Sequence, residues 1–401
     1  YEIVDFSDKA DIYVVNTCTV TNQSDQKSRQ TINQARRQNE DAMVVVTGCM
    51  ANNYKQSLLD TKTINFVVDN ERKTSIFSIV ENHFRGEVAD PEGFDHDVFS
   101  YESAYKTFHT RSMIKIQDGC DNFCTFCIIP KVRGRATSRP AEEIYKNIRE
   151  VVEHGFKEVV LTGVNIGRYE DGEINFEKLI ENILEIPGDF RLRISSIEPD
   201  GFSERFFELF AHPKLTPHLH LCLQSGDESI LLRMRRMYTA KQFRQMANKL
   251  KEMYPDFNLT TDIIVGFPGE TDETFKTTVD VANDLQFSHI HTFKYSVRSG
   301  TRAERMPDQL SEKIKNQRSE VIRKLSETNK ENYFNRMIGK PQRMLIERIG
   351  SDGTARGYGE NYIPIRLKAK NLTRNQFVDV VLTGLHHGKE LEMTAELLLQ
   401  A

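Results

Sequence analysis

The chain has 401 residues, of which 54 are Lys or Arg and 58 are Asp or Glu, so its formal net charge is −4. Hydrophobic residues make up 38% and charged residues 28%, which indicates a soluble globular protein and excludes a disordered one. No run of 18 or more apolar residues is present, so a transmembrane helix is excluded as well. The length predicts two or three domains.

The first hundred residues alternate apolar runs of strand length with polar helical stretches. The predicted strands are 12–15, 43–46 and 65–68, and the predicted helices are 24–38 and 75–84. This order predicts a small parallel α/β domain with its functional edge at the C-terminal ends of its strands. Cys18 and Cys49 follow two of these strands. Residues 86–105 are acidic, contain Gly and Pro, and are predicted to be a linker.

From residue 111 onward the pattern is one of repeated strand and helix units. Six strands are predicted, at 113–117, 158–162, 192–196, 219–223, 261–265 and 289–293. Helical stretches follow most of them, which predicts a partial or complete α/β barrel. An open doubly wound sheet is the alternative. Either fold would collect ligands at the C-terminal ends of its strands.

The last part of the chain begins with a long polar helix predicted at 311–338. Short strands separated by Gly-rich turns follow from residue 340 and predict a small β-barrel. The charge differs along the chain: residues 1–105 carry −7, residues 106–335 carry 0 and residues 336–401 carry +3. The basic C-terminal part suits a nucleic-acid partner, which the net charge alone disfavours.

Three of the six cysteines, Cys120, Cys124 and Cys127, lie within eight residues. Six cysteines are too few for a fold built on disulfides, so this cluster indicates metal or redox chemistry in a reducing compartment. Three thiolates in a tight loop can hold three irons of a 4Fe-4S cluster and leave the fourth iron open. A structural zinc site, the alternative, would need a fourth ligand nearby, and none is close in sequence.

The spacing C-x3-C-x2-C, with Phe126 before the last cysteine, resembles the signature of radical S-adenosylmethionine enzymes. Further segments resemble the methylthiotransferases of that family, namely 119–139, 161–167, 195–199, 223–226 and 262–270. The resemblance implies three domains. They are an N-terminal methylthiotransferase domain (1–95), a radical S-adenosylmethionine barrel (106–335), which is an α/β, partly TIM-like barrel, and a TRAM-like RNA-binding domain (338–401).

The resemblance also implies the cofactors. Cys120, Cys124 and Cys127 would hold the radical cluster, whose open iron binds S-adenosylmethionine, and reductive cleavage of this cofactor yields a 5'-deoxyadenosyl radical. A second, auxiliary 4Fe-4S cluster would be held by three cysteines of the N-terminal domain. Cys18 and Cys49 match two of these. The third is expected before residue 1, so we expect the chain to be truncated at its N-terminus.

Other site residues follow from the same resemblance, and each has an alternative structural role in a loop, a cap or the core. The cofactor-binding set is Phe126, Gly163, Val164, Asn165, Glu198, Gln224 and Asp262. The basic residues expected to contact RNA are Lys131, Arg133, Arg135, Arg139, Arg343 and Arg356. Cys222, within Leu221-Cys222-Leu223, is interpreted as a small core residue in the middle of a strand.

The implied reaction adds a methylthio group to C2 of N6-threonylcarbamoyladenosine at tRNA position 37, as in the MtaB-type enzymes. Two other substrates stay open, isopentenyladenosine at the same position and an aspartate of a ribosomal protein. The non-enzyme alternative is an Fe-S or zinc RNA-binding protein. The expected partners are the tRNA anticodon stem-loop and an electron donor for the clusters. We further expect a cytoplasmic monomer with no membrane partner.

Overall fold

The computed structural model of the chain describes residues 1–88, 90–94, 97–99 and 110–398. Its N-terminal part is a parallel sheet of order β1-β2-β3 with three helices, which confirms the predicted α/β domain. The elements are β1 (Ile12–Thr17), α1 (Asn22–Gln38), β2 (Met43–Gly48), α2 (Cys49–Leu59), β3 (Phe66–Val68) and α3 (Ile76–Arg85). Helix α2 was not among the predicted elements, because it has only 11 residues and its central residues 52–57 are polar except for Tyr54.

A close approach of β1 and β2 sets the position of the cysteines. Gly48 has a φ of +96°, and a Cβ atom on it would lie 2.2 Å from the carbonyl oxygen of Thr17, so only glycine fits there. The Thr17 hydroxyl donates to the carbonyl oxygen of Thr47 at 2.5 Å and joins the two strand ends. Cys18 and Cys49 directly follow the two strands, at the C-terminal edge of the sheet.

Within the described residues, the middle of the chain contains eleven strands. Seven of them are parallel and belong to two larger sheets, and the other four form two small two-stranded sheets. The strands are β4 (Arg111–Lys115), β5 (Gln117–Asp118), β6 (Thr137–Ser138), β7 (Glu158–Thr162), β8 (Glu170–Asp171), β9 (Ile174–Asn175), β10 (Arg191–Ile194), β11 (Ser196–Ile197), β12 (His218–Leu221), β13 (Asn258–Val265) and β14 (His289–Lys294). The helices are α4 (Ile129–Val132), α5 (Ala141–Glu153), α6 (Phe176–Leu184), α7 (Glu204–Leu209), α8 (Glu228–Met234), α9 (Ala240–Met253) and α10 (Asp272–Leu285).

Strand order distinguishes the two folds that the sequence left open. Strands β4, β7 and β10 are neighbours in one sheet, and β11, β12, β13 and β14 in a second, while only Ser195 separates β10 from β11. Among these seven parallel strands, each one is therefore the neighbour of the next along the chain, and β10 and β11 follow each other end to end. A doubly wound sheet would reverse its strand order at a switch point, so the partial α/β barrel is confirmed.

Side chains along β12 and β13 alternate between two faces of this sheet. Leu219, Leu221, Leu259 and Ile263 are at most 2% exposed and pack in the largest apolar core together with the helices. The residues between them point to the other face, which is polar. The polar side chains of this barrel therefore line its inner face and not its contact with the helices.

The C-terminal part is a long helix followed by a closed five-stranded barrel of order β15-β16-β17-β19-β18, which confirms the predicted small β-barrel. Its elements are α11 (Glu312–Met337), β15 (Pro341–Ile349), β16 (Thr354–Tyr358), β17 (Pro364–Lys368), β18 (Phe377–His387) and β19 (Leu391–Leu397). Tyr333 and Met337 of α11 lie in the same apolar core as Met344 and Ile365 of the barrel.

The chain divides into two compact units, each described here by itself. The first comprises Tyr1–Glu102, Asp118–Thr137 and Ser296–Met306, and the second comprises Ser103–Gln117, Ser138–Tyr295 and Pro307–Ala401. Of the predicted linker 86–105, residues 89, 95–96 and 100–105 lie outside the described residues. No helix of the described part is long and apolar enough to cross a membrane.

Candidate active site

The loop that carries the three clustered cysteines lies in the first unit. Gly119 begins it with a φ of +66°, and a Cβ atom there would lie 2.0 Å from the carbonyl oxygen of Arg135, so a larger residue does not fit. The Cys120 amide donates to the carbonyl of Gly134 at 3.3 Å and closes the loop at its base. Within the loop the Cys127 amide donates to the Cys124 carbonyl at 2.9 Å.

None of the six cysteines forms a disulfide. Cys124 is buried, whereas Cys120, Cys127 and Phe126 are half-buried. The Asn122 amide donates to the Cys120 sulfur at 3.5 Å, the kind of contact that a cluster thiolate accepts. Three thiols in one short loop with a glycine-dependent close approach fit a site-differentiated 4Fe-4S cluster, which Cys120, Cys124 and Cys127 would hold.

Cys49 belongs to the same unit, next to the helix that follows the cysteine loop. It is 3% exposed and packs against Ile128 and Val132. The Nε atom of Arg133 donates to its sulfur at 3.2 Å, and Nη1 of the same guanidinium lies 3.2 Å from Oδ1 of Asp118. Arg133, expected from the sequence to contact RNA, is therefore bound to a cysteine 84 residues away, a contact that no sequence spacing indicates.

Cys18 is exposed, and its amide donates to the Ser28 hydroxyl at 3.4 Å. The residues that follow Cys18 are held in place by Arg298, which is only 3% exposed. The guanidinium donates to the Thr19 carbonyl at 3.3 Å and pairs with Asp25 at 2.7 Å. The first unit therefore contains five of the six cysteines, Cys18, Cys49, Cys120, Cys124 and Cys127.

The segment Gly163–Asn165 lies in the second unit, directly after β7. The side-chain oxygen of Gln117 accepts hydrogen bonds from the amides of Val164 at 3.0 Å and Asn165 at 2.8 Å. A Cβ atom on Gly163 would lie 2.7 Å from the Gln117 carbonyl oxygen, so the glycine permits this contact. Gln117 therefore shapes the predicted cofactor loop, although nothing in the sequence singled it out.

Glu198 directly follows β11, Gln224 lies three residues after the end of β12, and Asp262 lies within β13, three residues before its last residue. The strands β11, β12 and β13 are neighbours, and Gln224 forms a parallel bridge with Ile263, next to Asp262. Glu198 pairs with Arg236 at 2.9 Å. Gln224 has a φ of +65° and is 9% exposed, and its amide donates to the Asp262 carbonyl at 2.8 Å. The structure thus brings Gln224 and Asp262 into direct contact through the backbone.

Asp262 also meets two residues that the sequence analysis did not assign to a site. His220 Nε2 lies 3.1 Å from Asp262 Oδ1. A ring nitrogen of His220, the Cys222 sulfur and a carboxylate oxygen of Asp262 all lie within 4.8 Å of one another. Burial lowers the pKa of His220, but hydrogen bonds to Asp262 and Cys222 and their negative charge outweigh it and raise the pKa to about 10. The interpretation of Cys222 as a core residue is wrong, because β12 ends at Leu221 and Cys222 is half-buried beside this histidine.

The basic residues expected to contact RNA differ in their exposure and in whether other side chains of the protein already pair with them. Lys131 is exposed, and Arg135 is exposed although it pairs with Asp121 at 2.6 Å. Arg139 is 6% exposed and bonds to Asn147 at 3.0 Å, which gives it a structural role. In the C-terminal barrel, Arg343 pairs with Asp189 at 2.7 Å and Arg356 lies 3.5 Å from Glu392.

Comparison with known proteins identifies two parts of the chain. Residues 114–282 match the Radical SAM superfamily, and residues 1–69 match a family described as "Uncharacterized protein family UPF0004". A solved structure, the radical S-adenosylmethionine methyltransferase TsrM from Kitasatospora setae, superposes with a TM-score of 0.54 at 17% identity over 70% of this chain and 61% of that one. At this identity the likeness concerns the fold alone.

Two curated relatives are similar over most of the chain. One is the threonylcarbamoyladenosine tRNA methylthiotransferase MtaB of Bacillus subtilis (strain 168), 38% identical over 92% of this chain and 84% of the relative. Another is the tRNA-2-methylthio-N(6)-dimethylallyladenosine synthase of Aliarcobacter butzleri (strain RM4018), 35% identical over 94% of this chain and 88% of the relative.

The α/β barrel, the three-cysteine loop and the match to the Radical SAM superfamily define the class, an enzyme that uses a 4Fe-4S cluster and S-adenosylmethionine. The identity of 36–38% to three curated methylthiotransferases, over 88–92% of this chain, then identifies the family within this class. The chain belongs to the methylthiotransferase family of the radical SAM superfamily.

Proposed function

We propose that this protein adds a methylthio group to C2 of N6-threonylcarbamoyladenosine at position 37 of tRNA. The observation that carries the proposal is the 38% identity over 92% of the chain with a relative named for threonylcarbamoyladenosine. An aromatic C–H bond offers no site for a nucleophile or a base, and the bound cluster with S-adenosylmethionine supplies the radical chemistry that this position needs. The protein's own residues bind, orient and shield the reactants.

In this proposal the radical cluster is held by Cys120, Cys124 and Cys127, and Cys18 and Cys49 are ligands of an auxiliary 4Fe-4S cluster. The Arg133 contact at 3.2 Å to the Cys49 sulfur supports a ligand role, because a guanidinium stabilises a thiolate. Cys49 also packs beside α4, which follows the radical-cluster loop within the same unit.

S-adenosylmethionine is proposed to contact the residues at the C-terminal ends of the barrel strands. The set is Phe126, Gly163, Val164, Asn165, Glu198, Gln224 and Asp262. Two features support it: the loop that is hydrogen-bonded to Gln117, and the location of Glu198, Gln224 and Asp262 on or just after the neighbouring parallel strands β11, β12 and β13. The Glu198 carboxylate, paired with Arg236 at 2.9 Å, would accept a hydrogen bond from a ribose hydroxyl.

The anticodon stem-loop of tRNA is the proposed substrate, bound through backbone phosphates. Exposed Lys131, Arg135 and Arg343 can turn outward from the protein and make such contacts, whereas Arg133 and Arg139 are held by internal partners. The charge of +3 on residues 336–401 supports an RNA-binding role for the C-terminal barrel, with Arg356 on its surface. The domain boundaries 1–95, 106–335 and 338–401, a monomeric state, a cytoplasmic location and an external electron donor complete the proposal.

A second substrate, dimethylallyl-modified adenosine, is favoured by the 35% identity with the synthase of Aliarcobacter butzleri. Nucleoside mass spectrometry distinguishes the two. The protein is expressed in a strain that makes both modified adenosines but lacks both methylthiotransferases. We expect 2-methylthio-N6-threonylcarbamoyladenosine, and none with the Cys120→Ala variant.

The control is His154→Ala, a substitution at an exposed residue at the end of α5, which should leave the product unchanged. Methylthiolation of the dimethylallyl nucleoside alone would refute the substrate assignment. Absence of any methylthio nucleoside from a protein that carries its iron and cleaves S-adenosylmethionine would refute tRNA as the substrate.

A further inference from the structure

The group formed by His220, Cys222 and Asp262 is not needed to hold either cluster. Among the residues that the structure describes, it is the group whose histidine nitrogen, cysteine sulfur and carboxylate oxygen all lie within 4.8 Å of one another. The nitrogen and oxygen are 3.1 Å apart. We propose that these three side chains form a binding site for a divalent cation of intermediate softness, Zn²⁺, on the inner face of the barrel.

The strand register explains why these three side chains meet. His220 lies opposite Thr260 in the parallel pairing of β12 with β13. Side chains two residues apart in extended chain share a face, so Cys222, the first residue after β12, follows His220 as Asp262 follows Thr260 on β13. The three ligands therefore converge from the C-terminal end of β12 and from within β13, toward the side of the barrel where such folds bind their ligands.

The surroundings of His220 leave one ring nitrogen directed at the group. Nδ1 lies 2.9 Å from the Thr260 hydroxyl, so Nε2 faces Asp262 and Cys222. A hydrogen bond to the remote nitrogen is the usual means by which a protein orients a metal-binding histidine. Thr260 thus has the position of an outer-shell partner.

Cys222 is held just as firmly. Its amide donates to the Ile197 carbonyl at 3.0 Å, its carbonyl oxygen accepts the Tyr238 hydroxyl at 2.5 Å, and its sulfur lies 3.1 Å from the Ser196 hydroxyl. Both backbone groups are therefore engaged, and the sulfur is fixed at the edge of the group. Such preorganisation lowers the entropic cost of binding an ion.

The donor set selects the kind of ion. One imidazole, one thiolate and one carboxylate match Zn²⁺, whereas Mg²⁺ and Ca²⁺ prefer oxygen ligands alone and an iron–sulfur cluster needs several thiolates. The thiolate and the carboxylate together balance the charge of a divalent ion. Three protein ligands leave a fourth tetrahedral position open to water or substrate, as in catalytic zinc sites.

Asp262 belongs to the proposed cofactor set as well, and its two oxygens allow both roles. Oδ1 faces His220, which leaves Oδ2 for a contact with S-adenosylmethionine. The zinc proposal does not depend on the nucleoside that the enzyme modifies. Its test therefore measures metal content and coordination and not catalytic activity.

The test uses the holoprotein with its iron–sulfur clusters, purified without oxygen, equilibrated with Zn²⁺ and freed of excess metal. Elemental analysis should find about one zinc per chain in addition to iron. X-ray absorption at the zinc edge should show one sulfur at about 2.3 Å and nitrogen or oxygen ligands at about 2.0–2.1 Å. Zinc trapped by empty cluster cysteines would instead show several sulfurs, which would overturn the proposal.

Variants separate this site from the clusters. Cys222→Ala, His220→Gln and Asp262→Asn should each lower the zinc content at least tenfold while iron stays unchanged. His154→Ala, which removes an exposed histidine elsewhere, should retain zinc. If the wild type binds no zinc, or if Cys222→Ala retains zinc and its one-sulfur signal, the group is a hydrogen-bonded network and the proposal is wrong.

Discussion

Two polar clusters lie on the parallel strands of the same barrel, one at the amino ends and one at the carboxyl ends. At the amino ends, Glu158 is 0% exposed and accepts from Arg191 at 2.5 Å and from Arg193 at 2.9 Å. At the carboxyl ends, the side chains of His220 and Asp262 are 14% and 23% exposed. The first cluster is closed by internal partners and the second is open to a ligand.

The amino-end cluster also anchors the C-terminal barrel. Arg191 donates to the carbonyl oxygens of Arg343 at 3.0 Å and Tyr358 at 3.1 Å, and Arg193 lies over the ring of Tyr362 at 4.4 Å. These arginines therefore join the two barrels within the second unit. The comparison teaches that charged residues on buried strands support the fold where they pair with one another, and chemistry where ligand atoms remain accessible.

The largest expected effect is on the closed cluster. Glu158→Gln would leave two buried guanidinium groups without a carboxylate. Breaking such a buried pair costs about 3–5 kcal/mol, so we expect the free energy of unfolding of the second unit to fall by this amount in urea titrations. Glu181→Gln, which removes a carboxylate paired at the surface with Lys178, should cost less than about 1 kcal/mol. Equal losses in the two variants would contradict the comparison.

An intermediate effect is expected from pH, through His218 beside the closed cluster. Burial, together with the positive charge of Arg193, holds the pKa of His218 well below its ordinary value of 6.5. The folded protein keeps this ring neutral, whereas the unfolded chain binds a proton below pH 6.5. Stability should therefore be lost as the pH falls below about 6.5, by up to about 1.4 kcal/mol per pH unit from this residue.

Urea titrations at pH 7.5, 6.5 and 5.5 measure this contribution, and His218→Gln should flatten the dependence. Glu158 does not interfere in this range. Its pKa is lowered below the ordinary 4.5 by the two arginines against the effect of burial, so its contribution is lost only in more acidic solution. An unchanged pH dependence in the variant would show that His218 binds protons equally in the folded and unfolded states, and the prediction would be wrong.

The smallest effect on stability is expected at the open cluster. Asp262→Asn preserves the shape of a half-exposed side chain, so the free energy of unfolding in metal-free buffer should change by less than about 1 kcal/mol. The same substitution should abolish zinc binding. A loss as large as that of Glu158→Gln would mean that the open cluster is a structural network like the closed one.

Patterns along the chain predicted the type and order of most helices and strands. The alternation of β-branched runs with polar helices predicted both α/β parts, and the short Gly-separated strands predicted the C-terminal barrel. Helix α2 (Cys49–Leu59) was missed because it has only 11 residues, and its central residues 52–57 are polar except for Tyr54. Its apolar residues therefore lie mostly at the two ends and do not repeat at helical spacing. Likewise, the choice between a barrel and a doubly wound sheet required the observed order of strands, since both folds share the same strand and helix units.

The sequence by itself determined the three-cysteine loop, because its ligands are neighbours in the chain and their spacing alone specifies the site. Only the tertiary structure decided which distant residues meet. The bond between Arg133 and Cys49 spans 84 residues, and the group of His220, Cys222 and Asp262 spans two strands. Such contacts depend on strand register and packing, which turn one histidine, one cysteine and one aspartate of ordinary appearance into a set of convergent ligands.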